Sequence, residues 1–417
     1  MPFSKFRSFI LITAFCILSA SIGYRIGEKK VQGVLVVNQT SNSQVVDFVL
    51  FWDVWQRLTR SYIDKASMDS QKMVWGAISG MVSSLGDPYT LFLPPKDNKD
   101  FKEDLGGQFE GIGAQLGMKD GHVMIVAPLK GMPAEKAGVR AGDYILKVND
   151  EETAGWTVPQ AVTKIRGPIG TTVRLSILHD GDTKATDYSI VRNTITVASV
   201  DSWVKAVSDI KEISGVTTYN TLLGKSGKVA YIHLSRFGDH SNDEWDKAVG
   251  DIVQAQRKDP SVRGLIFDLR NNPGGYLEGS VFIASEFIKS GTVVSQVNSN
   301  GTEENYPVTR VGKLLDIPVV VLINKGSASA AEIVAGALRD FKRATLVGET
   351  SFGKGSVQTP EDLAGGAGLH ITTGKWLLPK GDSINKKGVT PDVIVPMDTL
   401  EATADAQLAK AVELLLK

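Results

Sequence analysis

The sequence predicts an α/β protein, and three observations predict it. Past Thr194, β-branched runs alternate with segments of helical spacing, the order of a layered α/β core. Between Phe109 and Leu178 the texture changes to short strands punctuated by glycine turns, which places a small β-rich domain inside the chain. Ahead of it run two stripes of helical spacing that bury little alone and must pack on something larger. The 417 residues carry 46 Lys+Arg against 46 Asp+Glu, so the chain has no basic footprint for nucleic acid. A content of 42% hydrophobic and 22% charged residues excludes a disordered chain.

The elements follow in chain order. Lys5 and Arg7 precede the apolar run Phe9 to Gly23, an n-region before an h-region. That run is long for a signal and short for a full span, and no clean A-x-A site follows it. An uncleaved anchor is favoured over a removed signal, with a buried N-terminal helix as the bland alternative. Residues 1–30 are therefore expected to tether or export the chain, leaving the other domains extracytoplasmic. Cys16 lies in this run and is the only cysteine, so an intramolecular disulfide, a four-cysteine zinc site and a cysteine nucleophile elsewhere are all excluded. Residues 31–104 read as a linker and a helical segment. Its stripes are Val45, Phe48, Val49, Trp52, Trp55, Leu58 and Tyr62, then Ser70 to Leu85, stopped by Gly86-Asp87-Pro88-Tyr89. In the core, Lys228 to Leu234, Gly264 to Leu269, Ile317 to Ile323 and Ala344 to Val347 read as strands. Asp243 to Arg257, Tyr276 to Ile288, Ala330 to Arg339 and the terminal Leu400 to Leu416 read as helices.

The β-rich insert carries Ala137-Gly138, then Gly142-Asp143-Tyr144-Ile145-Leu146-Lys147-Val148-Asn149, then a helix around Val158 to Ile165 and a strand Val173 to Leu178. This order resembles a PDZ domain over residues 105–192. The resemblance implies that a polypeptide C-terminus adds as a strand to a sheet edge, its carboxylate on backbone amides of a glycine loop. Gly111, Ile112 and Gly113 supply such a loop, although glycines there also suit a plain hairpin turn.

Several chemical motifs fail. Gly224-Lys225-Ser226 lacks the upstream glycine of a P-loop, no G-x-S-x-G elbow occurs, and the five histidines form no H-E-x-x-H. Three other segments stand out: Asp268-Leu269-Arg270-Asn271-Asn272-Pro273-Gly274-Gly275, Gly326-Ser327-Ala328-Ser329-Ala330-Ala331-Glu332-Ile333 and Phe352-Gly353-Lys354-Gly355-Ser356-Val357-Gln358. Ser329 sits where a buried strand gives way to a helix, whose first amides have no intrahelical partner and can hold an oxyanion. Ser329 to Glu332 is also a capping box, and on that box alone capping is the favoured reading. A serine needs a base, and Lys354 can serve if burial keeps it neutral; otherwise it is a solvated loop lysine. Gln358, four residues on, shares a face with Lys354 on strand or helix and can orient it through a neutral hydrogen bond.

Together these strings resemble the carboxyl-terminal processing peptidases, tail-specific serine proteases with a Ser-Lys dyad and a PDZ domain, from about Phe48 to the end. The resemblance implies an α/β spiral, crotonase-like protease core over residues 193–398 and a C-terminal helix over 399–417. It implies Ser329 rather than Ser327 as nucleophile, Lys354 as base and Gln358 as its support. The backbone amides of Ala330 and Gly275 would form the oxyanion hole. No cofactor and no metal are expected. Arg166, at the end of the insert's helix, is a candidate hinge contact for regulation by the PDZ domain. The helices at both ends are candidates for homodimer contacts. Two other readings stay open: a tethered peptide-binding adaptor with a relic core, and an acyl-transferring hydrolase of another substrate class.

Overall fold

Six strands build the sheet on which the core rests: Val200–Ala206, Lys228–Leu234, Val262–Asp268, Val319–Ile323, Thr345–Gly348 and Val393–Ile394, in that spatial order. The first pair is antiparallel and all the others are parallel. The strand Val319–Ile323 is buried at every position, as a parallel strand covered on both faces must be. Its alternate side chains serve two cores. Val319, Val321 and Ile323 face a cluster with Trp245, Phe267 and Phe287, while Val320 and Leu322 join Ile266, Leu408, Ala411 and Val412. The helices Ser241–Lys258, Leu277–Ala284 and Ala330–Asp340 supply the first core, and Ala406–Leu415 supplies the second.

The computed structural model describes residues 47–179, 181–214, 216, 227–396 and 404–417. The anchor run with Cys16, the linker, Val45 and Leu400 lie outside these residues. Among the described residues no helix is long and apolar enough to cross a membrane, and no group of three or more His, Cys, Asp or Glu could hold a metal ion. The chain divides into two units, residues 1–70 and 71–417. In the first, the helix Val49–Ser61 buries none of its residues. Its aromatic side chains contact one another instead, Phe51 against Trp52 and Trp55.

Two helices of the core are shorter than their spacing predicts, and the one expected over Ser70 to Leu85 ends at Ser83. The one expected to reach Ile288 ends at Ala284, where the Ser285 hydroxyl donates back to the Val281 carbonyl and Glu286 turns inward to accept from Lys313 N and Arg310. The terminal helix starts at Ala406, because the Asp405 carboxylate caps it by accepting from Leu408 N at 2.9 Å. A second sheet escaped the sequence reading. It contains Leu91–Leu93, Thr292–Asn298, Glu303–Pro307 and the hairpin Ser356–Asp362 with Gly368–Leu377.

The insert is a separate sheet with strand order Ala114–Lys119, His122–Pro128, Tyr144–Val148, Thr172–Leu178 and Thr186–Val191. Ala114–Lys119 is therefore an edge, and the helix Val158–Ile165 packs beside it. The Asp143 of the glycine-aspartate signature is buried. It accepts from Arg140 N and from His179 Nδ1, whose other ring nitrogen meets the Tyr188 hydroxyl at 2.7 Å. The insert is entered and left on paired antiparallel strands, Gln108–Gly111 and Asn193–Thr196.

Candidate active site

Three neighbouring parallel strands, Val262–Asp268, Val319–Ile323 and Thr345–Gly348, each end in one of the three marked segments, so those segments meet at the sheet's C-terminal edge. This is where an open α/β sheet places its ligand crevice.

The first segment is fixed by Asn272. Its buried side chain donates to the Leu234 carbonyl and accepts from Gly274 N, both at 2.8 Å. Its own carbonyl accepts from Ala328 N at 2.9 Å, which ties the first segment to the second. Gly274 and Gly275 have φ of 103° and 141°. A Cβ at Gly274 would stand 2.8 Å from the Ser329 Cβ and 3.0 Å from Ala330 N, and one at Gly275 would stand 2.1 Å from the Phe237 carbonyl oxygen. Only glycine fits either place. The Gly274 amide is engaged with Asn272. The Gly275 amide and the Ala330 amide, first in its helix, have no acceptor among the described residues.

The second segment separates its two serines. Ser327 is fully buried, and its hydroxyl donates to the Leu269 carbonyl at 2.8 Å and accepts from Asn324 N at 3.0 Å. Ser329 is partly exposed and sits at φ 53° and ψ −117°, a left-handed backbone that a residue with a Cβ adopts at a cost of roughly 1–3 kcal/mol. The Glu332 carboxylate accepts from Ser329 N at 2.8 Å, its half of the capping box.

The third segment delivers Lys354. A Cβ at Gly353 would lie 2.9 Å from Gly388 N, and one at Gly355 would lie 2.4 Å from Asn385 N, so both glycines press against the loop 384–389. Lys354 is half-buried, and burial pushes its pKa below the ordinary lysine value while the Glu332 charge opposes the shift. Its Nζ lies 5.3 Å from the centre of the Tyr89 ring. Gln358 stands on the strand Ser356–Asp362, where its Nε2 donates to Ser356 Oγ at 2.9 Å and to Thr372 Oγ1 at 3.2 Å. No hydrogen bond from Gln358 to Lys354 occurs among those described. His370, on the next strand, is held below the usual imidazole range by burial and then by the Lys354 charge.

The remaining expected residues lie in the insert. Gly111 ends the ribbon strand Gln108–Gly111, Ile112 is buried, and Gly113 has φ 72° with no room for a Cβ, which would stand 2.4 Å from Met132 Cβ. Arg166 follows the helix Val158–Ile165, and its guanidinium lies 4.2 Å from the centre of the Phe109 ring on the ribbon.

Sequence reasoning missed three contributors. Glu332 was read only as a cap. Gly86-Asp87-Pro88-Tyr89 carries a helix stop with no site role and Thr90 no role at all, yet Thr90 Oγ1 accepts from Thr372 N at 3.0 Å and donates to Asp87 Oδ2. Burial would raise the Asp87 carboxyl, but bonds from Thr372, Thr90 and Tyr89 N outweigh it and hold it low. Arg270 was quoted within its string without a role. Its guanidinium joins Asp268 under the site to Asp405 and Gln407 of the terminal helix. For all three, the only signal was membership in a motif string.

Residues 228–395 match Peptidase family S41, residues 124–178 match the PDZ domain, and residues 18–96 match the activating protease CtpB N-terminal domain. The carboxy-terminal processing protease CtpB of Bacillus subtilis is 35% identical over 355 residues, 85% of this chain and 69% of the relative. A carboxy-terminal-processing protease of Bartonella bacilliformis is 34% identical over 393 residues, 93% of this chain and 82% of the relative. A crystal structure described as an S41 protease from Bacteroides fragilis shares the fold, with a TM-score of 0.53 at 15% identity over 91% of this chain and 99% of that one.

Proposed function

Because the chain belongs to peptidase family S41, as a carboxy-terminal processing serine peptidase with a PDZ domain, we propose that Ser329 is its nucleophile and Lys354 its general base. The observation that carries this reading is the contrast between the serines. Ser327 has both its donor and its acceptor engaged in the fold, whereas Ser329 is held in a strained turn against Gly274 at the head of a helix.

Neutral Lys354 takes the Ser329 proton as Oγ attacks the scissile carbonyl carbon. The oxyanion that forms is held by the free amides of Ala330 and Gly275. The intermediate collapses with the leaving amine taking the proton from Lys354, and an ester to Ser329 remains. Water then gives a proton to the same lysine and attacks the ester; collapse releases the new C-terminus as Ser329 Oγ takes that proton back. Gln358, whose Nε2 donates to Ser356 Oγ and Thr372 Oγ1, is assigned the support of the base, which it would give by turning its amide toward Lys354.

Substrate selection belongs to the insert. An exposed polypeptide C-terminus adds to the edge strand Ala114–Lys119 beside the helix Val158–Ile165, and its carboxylate reaches the amides of Gly111 to Gly113. Residues 1–30 tether or export the chain, so that the substrates are extracytoplasmic proteins. The proposal is tested by mass spectrometry of protein termini in cells that carry wild type or Ser329→Ala. Tail-shortened products present with both forms would refute it.

A further inference from the structure

One buried group ties the whole centre together and is assigned no role by the mechanism above. Glu332 lies in the first turn of the helix Ala330–Asp340 and is fully buried. Its Oε2 accepts from Ser329 N at 2.8 Å and from Lys354 N at 2.9 Å. Its Oε1 accepts from Ser351 Oγ at 2.5 Å and from Gly353 N at 2.7 Å. Four donors occupy two oxygens, which is the full accepting capacity of a carboxylate. One donor is the nucleophile's own amide and three belong to the loop that presents the base. A helix cap alone requires only the first.

We propose that Glu332 is the positioning residue of this centre: its carboxylate sets the Ser329 turn and the Lys354 loop in one frame. The inference rests on the Ser329 and Lys354 reading. Two physical needs meet in one group. Ser329 must be held in a left-handed turn that its backbone resists, and Lys354 must be neutral in use yet stable enough to stay in place. Burial without an opposing charge favours the neutral amine, while a carboxylate held at the backbone of the same residue restrains that shift. The other groups facing Lys354 are Tyr89, whose ring covers Nζ, and His370, which stands beside Asp362 and Lys102. Ser351 completes the frame, because its hydroxyl also accepts from Val389 N at 2.6 Å and so fastens Glu332 to the loop that packs on Gly353.

The test is the pH dependence of kcat/KM on a peptide substrate for wild type, Glu332→Gln and Ser351→Ala, in the full chain. Glu332→Gln removes the charge and turns an amide N–H toward backbone donors. Its acidic limb is expected to move roughly one pH unit toward acid, the scale of a lost neighbouring charge, and its plateau to fall at least ~10-fold through misplacement. Ser351→Ala keeps the charge and removes one tie, so its plateau falls while its midpoint stays. An unmoved midpoint in folded Glu332→Gln overturns the role of the charge. An undiminished plateau in Ser351→Ala overturns the frame, and this variant decides alone if Glu332→Gln does not fold. If Lys354→Ala keeps the wild-type profile, the underlying dyad reading fails instead.

Discussion

The protease core and the inserted PDZ domain handle their polar backbone in opposite ways. In the core, the segments that meet at the sheet edge are joined by buried polar ties: Asn272 to Leu234 and Ala328, Ser327 to Leu269, and Glu332 to the 351–354 loop. The insert has its own apolar core around Ile125, Ile145, Val173 and Leu175, yet among the described residues its strand Ala114–Lys119 has no strand partner on one side. Buried groups must find partners inside the protein, so their satisfaction freezes geometry, whereas an exposed edge is free to take its partner from a ligand. The core fixes its geometry from within, and the insert leaves an edge open.

The largest expected effect breaks the core and spares the insert. Ser329→Ala should lower kcat/KM at least ~10³-fold while a tail peptide still binds, as isothermal titration would register. Lys354→Met should remove activity as fully and should also raise stability at neutral pH. The sign follows from linkage. The lysine has a lower pKa in the folded chain than in the unfolded one, so the folded state binds fewer protons and gains stability as pH rises toward the ordinary lysine value. A denaturant titration at several pH values checks this, and wild-type activity should rise over the part of that range where Lys354 loses its proton.

The next effect asks whether the core's ties stabilise the fold as well as the site. Arg270→Met leaves the buried Asp268 and the cap Asp405 without their cation, which should cost about 3 kcal/mol in a urea titration. A smaller loss confined to melting of the C-terminal helix would show that the two faces of the sheet unfold separately.

Smaller effects probe the insert. Converting a substrate's terminal carboxylate to an amide should raise KM by about 10-fold, worth about 1.4 kcal/mol, with kcat nearly unchanged. Equal KM values would mean that the glycine loop does not read the carboxylate. Smallest is Arg166→Ala, which removes the stack on Phe109. The expected outcome is a few-fold loss of stimulation by tail peptides with basal cleavage and peptide binding intact; unchanged stimulation would remove Arg166 from regulation.

What was legible in the sequence follows the same division. The core strands announced themselves because parallel strands buried on both faces are runs such as Val319 to Ile323. The second sheet did not. Thr359 to Asp362 is polar and pairs only with Gly368 to Leu377, which mixes His, Thr, Gly and Lys and is joined to the sheet by partners such as Leu91 and Ser295 that lie far away in sequence. Ser329 and Lys354 were legible as members of specific strings. Glu332 looked like an ordinary cap because the other groups that complete it, at 351, 353 and 354, arrive 19 to 22 residues later in the chain.

The paired strands Gln108–Gly111 and Asn193–Thr196 have a practical consequence. Residues facing each other across an antiparallel pair stand about 5 Å apart, so the ends of the chain on either side of the insert are already within reach of a few-residue bridge. The recognition module is in effect a cassette. Its boundaries at Gly107 and Val197 already share a backbone hydrogen bond, so another domain whose termini are adjacent would fit the same opening in the chain.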